Sequence, residues 1–206
     1  AWSKKILRMT NPSDFLLDRN EVLPQLIREP DNFLIIAGLA GTARDVAHLC
    51  GVESSHFYAM AGAMGGAVSI GLGLALAQPE KRVLVCTGDG ELLMNVGALA
   101  TVAVMKPANL GILCVDNGHY GETGNQRSHT GQCTDLTAMA QGAGIPKIHT
   151  VSKDEDIADA TDLIDQSRET FFVHLKVHDG PPAKIKRSLD AQFTKTAFRK
   201  QLLGHP

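Results

Sequence analysis

The residues best suited to chemistry lie in two short segments, Gly88-Asp89-Gly90 and Asp116-Asn117-Gly118, and each follows an apolar run. An apolar run bounded by turn residues is typical of a buried strand, and open α/β sheets bind ligands at the carboxyl ends of their strands. One strand–helix–strand unit separates the two segments. Because a right-handed crossover returns the second strand beside the first or one place away, Asp89 and Asn117 can converge.

The chemistry that these residue types favour is the binding of a magnesium-bound diphosphate. Carboxylate and amide oxygens, with water and phosphate oxygens, suit Mg²⁺. Gly88 and Gly90 allow the backbone to approach an anion and to direct its N–H groups at it, and a helix that begins just after them adds its positive end. Gly-Asp-Gly alone is more often an ordinary turn, so the asparagine one strand later makes the pattern specific.

The segments that must position these residues alternate between strand and helix. Four apolar runs and one shorter run predict strands over 32–37, 82–87, 110–116, 171–177 and 148–151. Helical spacing of apolar residues predicts helices over 20–28, 42–50, 65–77, 95–105, 136–142 and 154–167. This alternation predicts an α/β domain, a doubly wound, mostly parallel sheet with helices on both faces.

Length and composition favour a single folded domain. The chain has 206 residues, of which 44% are hydrophobic and 20% charged, and its net charge of -2 gives no field that would attract nucleic acid or a membrane surface. The longest apolar stretch, 59–77, is interrupted by glycines and is expected to be buried in the domain. We expect a domain over 1–180 and a basic tail over 181–206, in which Phe193 and Phe198 either dock a terminal helix or belong to a solvated one.

Other potential sites are weaker. The four cysteines are widely spaced, which indicates reduced, structural thiols in a cytoplasmic protein, and no apolar signal core follows the first residues. His174 and His178 share a face of a predicted strand, but the sequence shows no third metal ligand, so we expect ordinary strand-end histidines. The glycines of 38–41 lack the spacing of a dinucleotide-binding motif.

At the positions singled out first, the sequence resembles the cofactor-binding motif of thiamine diphosphate-dependent enzymes, Gly88-Asp89-Gly90 followed by Asn117. The segment 62–75 resembles the one under the cofactor in thiamine-dependent decarboxylases. The segment 117–126 resembles the loop after the metal-binding asparagine in sulfopyruvate and phosphonopyruvate decarboxylases. The resemblance covers roughly residues 20–180 and points most closely to the separate beta subunits of that family.

This resemblance implies roles for the matching residues. Asp89 and Asn117 would bind Mg²⁺ through their side chains, and His119 through its backbone carbonyl. Gly90 and Glu91 would offer backbone N–H groups to the diphosphate. Glu91 departs from these decarboxylases, in which a small residue is common here, and an acid beside a diphosphate must point away or be paired.

The resemblance also implies how the rest of the cofactor is held. Met64 would press between its two rings, and the Gly62 carbonyl would accept a hydrogen bond from the aminopyrimidine amine. Gly118, Tyr120 and Gly121 would shape the loop over the phosphates. The candidates for contacts with the substrate are His119, Glu122, Thr123, Asn125, Gln126 and Arg127.

The implied activity is decarboxylation of a small anionic 2-oxoacid to an aldehyde and CO₂. Arg127 could meet a sulfonate or phosphonate through its planar guanidinium, or it could be a solvated loop arginine; a role for Arg44 is also open. The matching motifs all belong to the diphosphate-binding domain. The glutamate that activates the cofactor is therefore expected on a separate alpha subunit, in an α2β2 or larger assembly.

Two other functions stay open from the sequence. The same domain serves other thiamine enzymes, such as acyloin-forming transferases and 2-oxoacid oxidoreductases, although the iron–sulfur cysteines usual in the latter are not clustered here. The fold could also have been kept as a non-catalytic binding module, an alternative that the intact Asp89 and Asn117 argue against.

Overall fold

Six parallel strands form the central sheet of the computed structural model, which describes residues 15–60, 62–186 and 188–204. The strands are β1 (Leu34–Ala37), β2 (Phe57–Ala59), β3 (Val83–Gly88), β4 (Leu110–Asp116), β7 (Lys147–Val151) and β8 (Phe171–Lys176). Their spatial order is β2-β1-β3-β4-β8-β7, and every pairing is parallel. Two further short strands, β5 (His119–Tyr120) and β6 (Gln126–Arg127), form an antiparallel hairpin after β4.

Helices cover both faces of this sheet. They are α1 (Arg19–Leu26), α2 (Ala40–Cys50), α3 (Ala67–Ala77), α4 (Asp89–Met94), α5 (Ala98–Met105), α6 (Leu136–Ala143), α7 (Ile157–Gln166) and α8 (Ala191–Leu203). One apolar core lies between the sheet and α1, α2 and α7, and a second lies between the sheet and α3, α5, α6 and α8. The predicted doubly wound α/β class is therefore confirmed.

The buried strands explain why this class could be predicted. All seven residues of β4 are buried, as are the four of β1, because helices cover both faces of the sheet. The sequence prediction missed β2, which is only three residues long. The helix predicted over 95–105 corresponds to α5, and the helix expected just after the two glycines is α4, which begins at Asp89 itself, within the glycine motif.

The carboxyl-terminal segment packs on the domain. Asp190 caps α8 by accepting hydrogen bonds from the backbone N–H groups of Gln192 and Phe193. Phe198 of this helix is buried and its ring lies 6.0 Å from that of Tyr58, centroid to centroid. Of the two expectations for this helix, the structure shows the docked one, while the domain boundary at residue 180 stays a prediction.

In the described part of the chain, no helix combines the length and the apolar character needed to cross a membrane, and the apolar stretch contains the 11-residue α3. All four cysteines are free, with Cys86 and Cys114 buried and Cys133 exposed. The first fourteen residues, where a signal core was sought, lie outside the described residues.

Candidate active site

A cavity lies at the carboxyl edge of the sheet, where β3 and β4 end side by side. Gly88 of β3 pairs in register with Val115 of β4, so the loops that follow both strands face the same space. The cavity is lined by Arg19, Leu39, Ala40, Gly41, Thr42, Met64, Gly88, Asp89, Gly90, Glu91, Val115, Asn117, His119, Tyr120, Gly121, Glu122 and Thr123. The two segments that the sequence singled out therefore meet at one site.

Asp89 is the buried acid of this cavity. Its Oδ2 accepts hydrogen bonds from the hydroxyls of Ser128 and Thr130, the latter at 3.0 Å. Burial, reinforced by the nearby charge of Asp116, raises the pKa of Asp89 to about 6 in the metal-free protein, although these hydroxyls favour the charged form. Because its hydrogen bonds do not offset the cost of burying its charge, this carboxylate is well suited to bind a cation.

Asn117 begins the loop that turns over the cavity. Its Oδ1 accepts a hydrogen bond of 3.3 Å from the backbone N–H of His119, and its amide Nδ2 donates to Asp179 Oδ1 at 3.1 Å. Asp116, fully buried, accepts the Gly118 N–H at 2.9 Å. Gly118 has a φ of 67°, in the left-handed region that favours glycine. These contacts fix the turn that carries Asn117 and His119.

The oxygen-bearing residues fit a magnesium ion better than a transition metal. Among the described residues, no group of three His, Cys, Asp or Glu side chains could hold a metal ion by itself. Asp89 and Asn117 supply hard oxygen ligands, and Mg²⁺ characteristically completes its shell with water and substrate phosphate oxygens. The donor set therefore fits a magnesium ion bound together with a phosphorylated cofactor.

The glycines of the motif leave room for different neighbours. A Cβ on Gly90 would lie 2.4 Å from Cε1 of Tyr120, so that ring packs directly on the glycine. A Cβ on Gly88 would meet nothing closer than 3.7 Å, and a side chain there would extend into the cavity that Gly88 lines. Gly90 thus admits Tyr120, whereas Gly88 keeps space open for a ligand.

Glu91 is turned toward β1 and the turn that follows it. Its Oε2 accepts hydrogen bonds from the Leu39 N–H at 3.1 Å and from the Thr87 hydroxyl at 3.0 Å. Burial raises the pKa of this carboxyl, and the hydrogen bonds oppose the rise. Its Oε1 is buried without a hydrogen-bond partner among the described residues. The side chain is therefore paired through one oxygen, and its N–H lies in the first turn of α4.

One residue of the cavity wall, Arg19, was missed in the sequence. Thr42 and its neighbours bring the first turn of α2 to the wall of the cavity, and Arg19 reaches the same wall from α1. Arg19 is buried and paired with Asp45, with 2.6 Å between Nη2 and Oδ2. No motif marks these residues. The one available signal was an arginine in the first turn of a helix, where the dipole disfavours a cation.

Most of the predicted site residues line the cavity. Those that line the cavity are Met64, Gly88, Asp89, Gly90, Glu91, Asn117, His119, Tyr120, Gly121, Glu122 and Thr123. Gly118 lies beneath them, and Gly62 lines a neighbouring groove with Arg44 and Glu122, whose side chains form an ion pair of 2.9 Å.

Three loop residues do not line the cavity. Asn125 donates to Asp179, and Gln126 pairs with Thr123. Arg127 donates from Nη2 to the carbonyl of Gly131, which turns its guanidinium back onto its own loop. The structure thus does not bring Arg127, one of the candidates for contact with the substrate, to this cavity, because the β5–β6 hairpin directs its side chain elsewhere.

Comparison with known families decides what kind of domain this is. Residues 40–175 match the family model described as thiamine pyrophosphate enzyme, C-terminal TPP binding domain. The chain belongs to this family. The resemblance stated from the sequence is confirmed, and the domain is a thiamine pyrophosphate-binding domain of an enzyme.

Relatives within the thiamine pyrophosphate enzymes differ in length. The chain is 39% identical over 137 residues to sulfopyruvate decarboxylase subunit beta of Methanocaldococcus jannaschii, covering 66% of this chain and 72% of that one. It is 36% identical to the same subunit of Methanothermobacter thermautotrophicus, covering 92% and 97%. It is also 36% identical to phosphonopyruvate decarboxylase of Streptomyces hygroscopicus, covering 86% of this chain but only 44% of that protein.

A solved structure shows the same fold. The X-ray structure of a candidate thiamin diphosphate-dependent enzyme from Mycobacterium smegmatis superposes with a TM-score of 0.65 at 20% identity, covering 84% of this chain and 33% of that one. The chain thus spans a minor part of the longer proteins that it matches and nearly all of one beta subunit.

Proposed function

We propose that this chain is the diphosphate-binding beta subunit of a split thiamine diphosphate- and Mg²⁺-dependent decarboxylase that acts on a small anionic 2-oxoacid. The observation that carries the proposal is the meeting of Asp89 and Asn117 in one cavity at the ends of adjacent strands. Relatives named as sulfopyruvate and phosphonopyruvate decarboxylases support the reaction class. The match to nearly the full length of a separate beta subunit supports the split organisation.

The residues of the cavity divide the work of holding the cofactor. Asp89 and Asn117 would hold Mg²⁺ through side-chain oxygens, with His119 contributing its carbonyl. The backbone N–H groups of Gly90 and Glu91, in the first turn of α4, would donate to the diphosphate. The bound cofactor would supply the electron sink for loss of CO₂.

The loop after Asn117 would close the site over the phosphates. Tyr120 packs on Gly90, and its hydroxyl lies 2.7 Å from His129 Nδ1, so the loop is fixed on the glycine motif. Met64 reaches the cavity from the segment before α3 and would press on the cofactor rings. These contacts orient the cofactor and exclude water, as a decarboxylase site requires.

The substrate would bind at the rim, near His119, Glu122 and Thr123. Arg44 is partly exposed there, paired with Glu122, and it replaces Arg127 as the nearest candidate for a sulfonate or phosphonate. The carboxylate of the activating glutamate would come from the alpha subunit. No residue of this chain is assigned that role.

The test is cofactor retention and turnover by the complex of the full chain with its partner. Asp89→Asn is compared with Asp159→Asn, a change at an exposed acid of α7. We expect Asp89→Asn to abolish Mg²⁺-dependent retention of thiamine diphosphate and CO₂ release from a panel of 2-oxoacids, and Asp159→Asn to leave both intact. Undiminished retention in Asp89→Asn would contradict the site.

The same panel separates the alternative functions. A decarboxylase releases an aldehyde and CO₂ without an added electron acceptor. Products that require ferredoxin or a second keto acid would instead indicate an oxidoreductase or a transferase. Cofactor binding with no turnover of any 2-oxoacid by the complete complex would favour a binding module.

A further inference from the structure

Arg19 is a buried cation in the wall of the cavity, and nothing in the cofactor motif accounts for it. Only 5% of the residue is exposed, its Nε donates to Asp45 Oδ2 at 2.9 Å, and its Nη2 lies 2.6 Å from the same oxygen as an ion pair. Its Nη1 has no hydrogen-bond partner among the described residues. Among the described residues that line the cavity, it is the only arginine or lysine.

The position of the guanidinium is fixed against the first turn of α2. A Cβ added to Gly41 would lie 3.2 Å from Nη1 and 3.4 Å from Nη2, so the glycine lets the guanidinium approach the helix backbone. Gly41 and Thr42 line the cavity beside Gly88. The first N–H groups of a helix have no partner within it, so Arg19 and the start of α2 present donors to one space.

Stability alone is a weak reason for this ion pair. Removing an arginine and an aspartate from water costs about as much as their attraction returns, and apolar replacements are often as stable. Asp45 is tightly held, because its Oδ1 also accepts the Ala183 N–H at 3.2 Å, yet burial still raises its pKa. The pair therefore holds a guanidinium at this wall at little net gain in folding free energy.

We infer that Arg19 binds the diphosphate of the cofactor, with Asp45 as the residue that positions its guanidinium. The inference rests on the proposed function, since it takes thiamine diphosphate as the ligand. A diphosphate carries more negative charge than one Mg²⁺ neutralises, and Arg19 lines the same cavity as Asp89. Its planar N–H groups suit phosphate oxygens, and Nη1 lies beside Gly41, which lines the same cavity.

The experiment measures equilibrium binding of Mg²⁺–thiamine diphosphate and of thiamine to the complex of the full chain with its partner. Arg19→Met removes the cation and keeps much of the side-chain volume. Arg28→Met is the matched control, because Arg28 follows α1 and pairs with Asp165 at the surface. We expect Arg19→Met to raise the Kd of thiamine diphosphate at least about tenfold and to leave that of thiamine unchanged, with no effect of Arg28→Met.

A second variant covers a failure of Arg19→Met to fold, since that change leaves Asp45 buried and unpaired. Arg19→Met/Asp45→Leu removes both charges and is expected to show the same selective loss. Equal thiamine diphosphate affinity in this variant and the wild type would overturn the inference, as would an equal loss for thiamine. If the wild type bound thiamine diphosphate no better than Asp89→Asn does, the proposed function would be overturned, and this inference with it.

Discussion

Asp116 and His174 form a buried pair behind the candidate metal site, with 2.8 Å between Asp116 Oδ2 and His174 Nε2. They lie on the adjacent strands β4 and β8, two positions apart in the pairing register, and both are at most 1% exposed. Asp116 Oδ1 lies 2.7 Å from the hydroxyl of Thr130, which also lies 3.0 Å from Asp89. The histidine thus supports the turn and the acid that would hold the metal without reaching either.

Replacing His174 should destabilise the domain. His174→Ala leaves the fully buried Asp116 Oδ2 without its partner, and an unsatisfied buried acceptor costs about 1–3 kcal/mol or more. Denaturant unfolding of the full chain measures the effect. The control is His178→Ala, since His178 is partly exposed and lies 3.5 Å from Asp18, a contact worth at most about 1 kcal/mol. Equal losses in the two variants would contradict the assigned support.

The metal-free protein should respond to pH through Asp89. Because burial raises its pKa from 3.8 to about 6, the native state binds more protons than the unfolded state between these values. Stability from this group therefore increases as pH falls from 7 through 6 toward 4. Mg²⁺ competes with that proton, so its stabilising effect should fade over the same range.

Thermal unfolding of wild type and Asp89→Asn across this pH range, with and without Mg²⁺, isolates the contribution. The difference in Tm between the two metal-free proteins should shift in favour of the wild type as the pH falls. A difference in Tm that stays constant from pH 7 to 4 would show that the pKa of Asp89 is not raised in the folded protein.

Because Glu91 packs against Gly38, replacing that glycine should destabilise the domain. A Cβ on Gly38 would lie 1.7 Å from Glu91 Oε2, so Gly38→Ala must displace the carboxylate from Leu39 and Thr87. We expect a loss of about 1–3 kcal/mol in the free energy of unfolding. Gly73→Ala is the control, because its Cβ would meet nothing within 4 Å and should stabilise α3 by about 0.5–1 kcal/mol.

A second substitution tests the cause. Glu91→Ala removes the displaced carboxylate, so combining it with Gly38→Ala should cost less than the two single losses added together. Strictly additive effects would mean that Gly38 is required for another reason.

The sequence predicted the fold where single elements carry strong signals. The buried strands β3 and β4 read as unbroken apolar runs, and the residues after them marked the edge where the cavity lies. The edge strand β2 was missed because three residues carry too little pattern. A helix was expected just after the two glycines, but its start between them, at Asp89, was not, because glycines normally end helices or form turns.

The site was predictable only for the residues that directly follow a strand. Asp89 and Asn117 follow strands, and topology alone brings them to one edge. The direction of the Arg127 side chain could not be predicted, because a hairpin of two-residue strands decides it and no sequence pattern encodes that direction. Glu91 and Arg19 pair with Leu39 and Asp45, which lie far from them in the sequence, so no local pattern predicts these contacts.

The most direct test of the account is native mass spectrometry of the complex purified from its source cells, with small-molecule analysis of the same sample. We predict a second chain bound to this one, together with thiamine diphosphate and Mg²⁺ in equal amounts. An oligomer of this chain alone, free of both, would contradict the proposal of a split thiamine diphosphate enzyme.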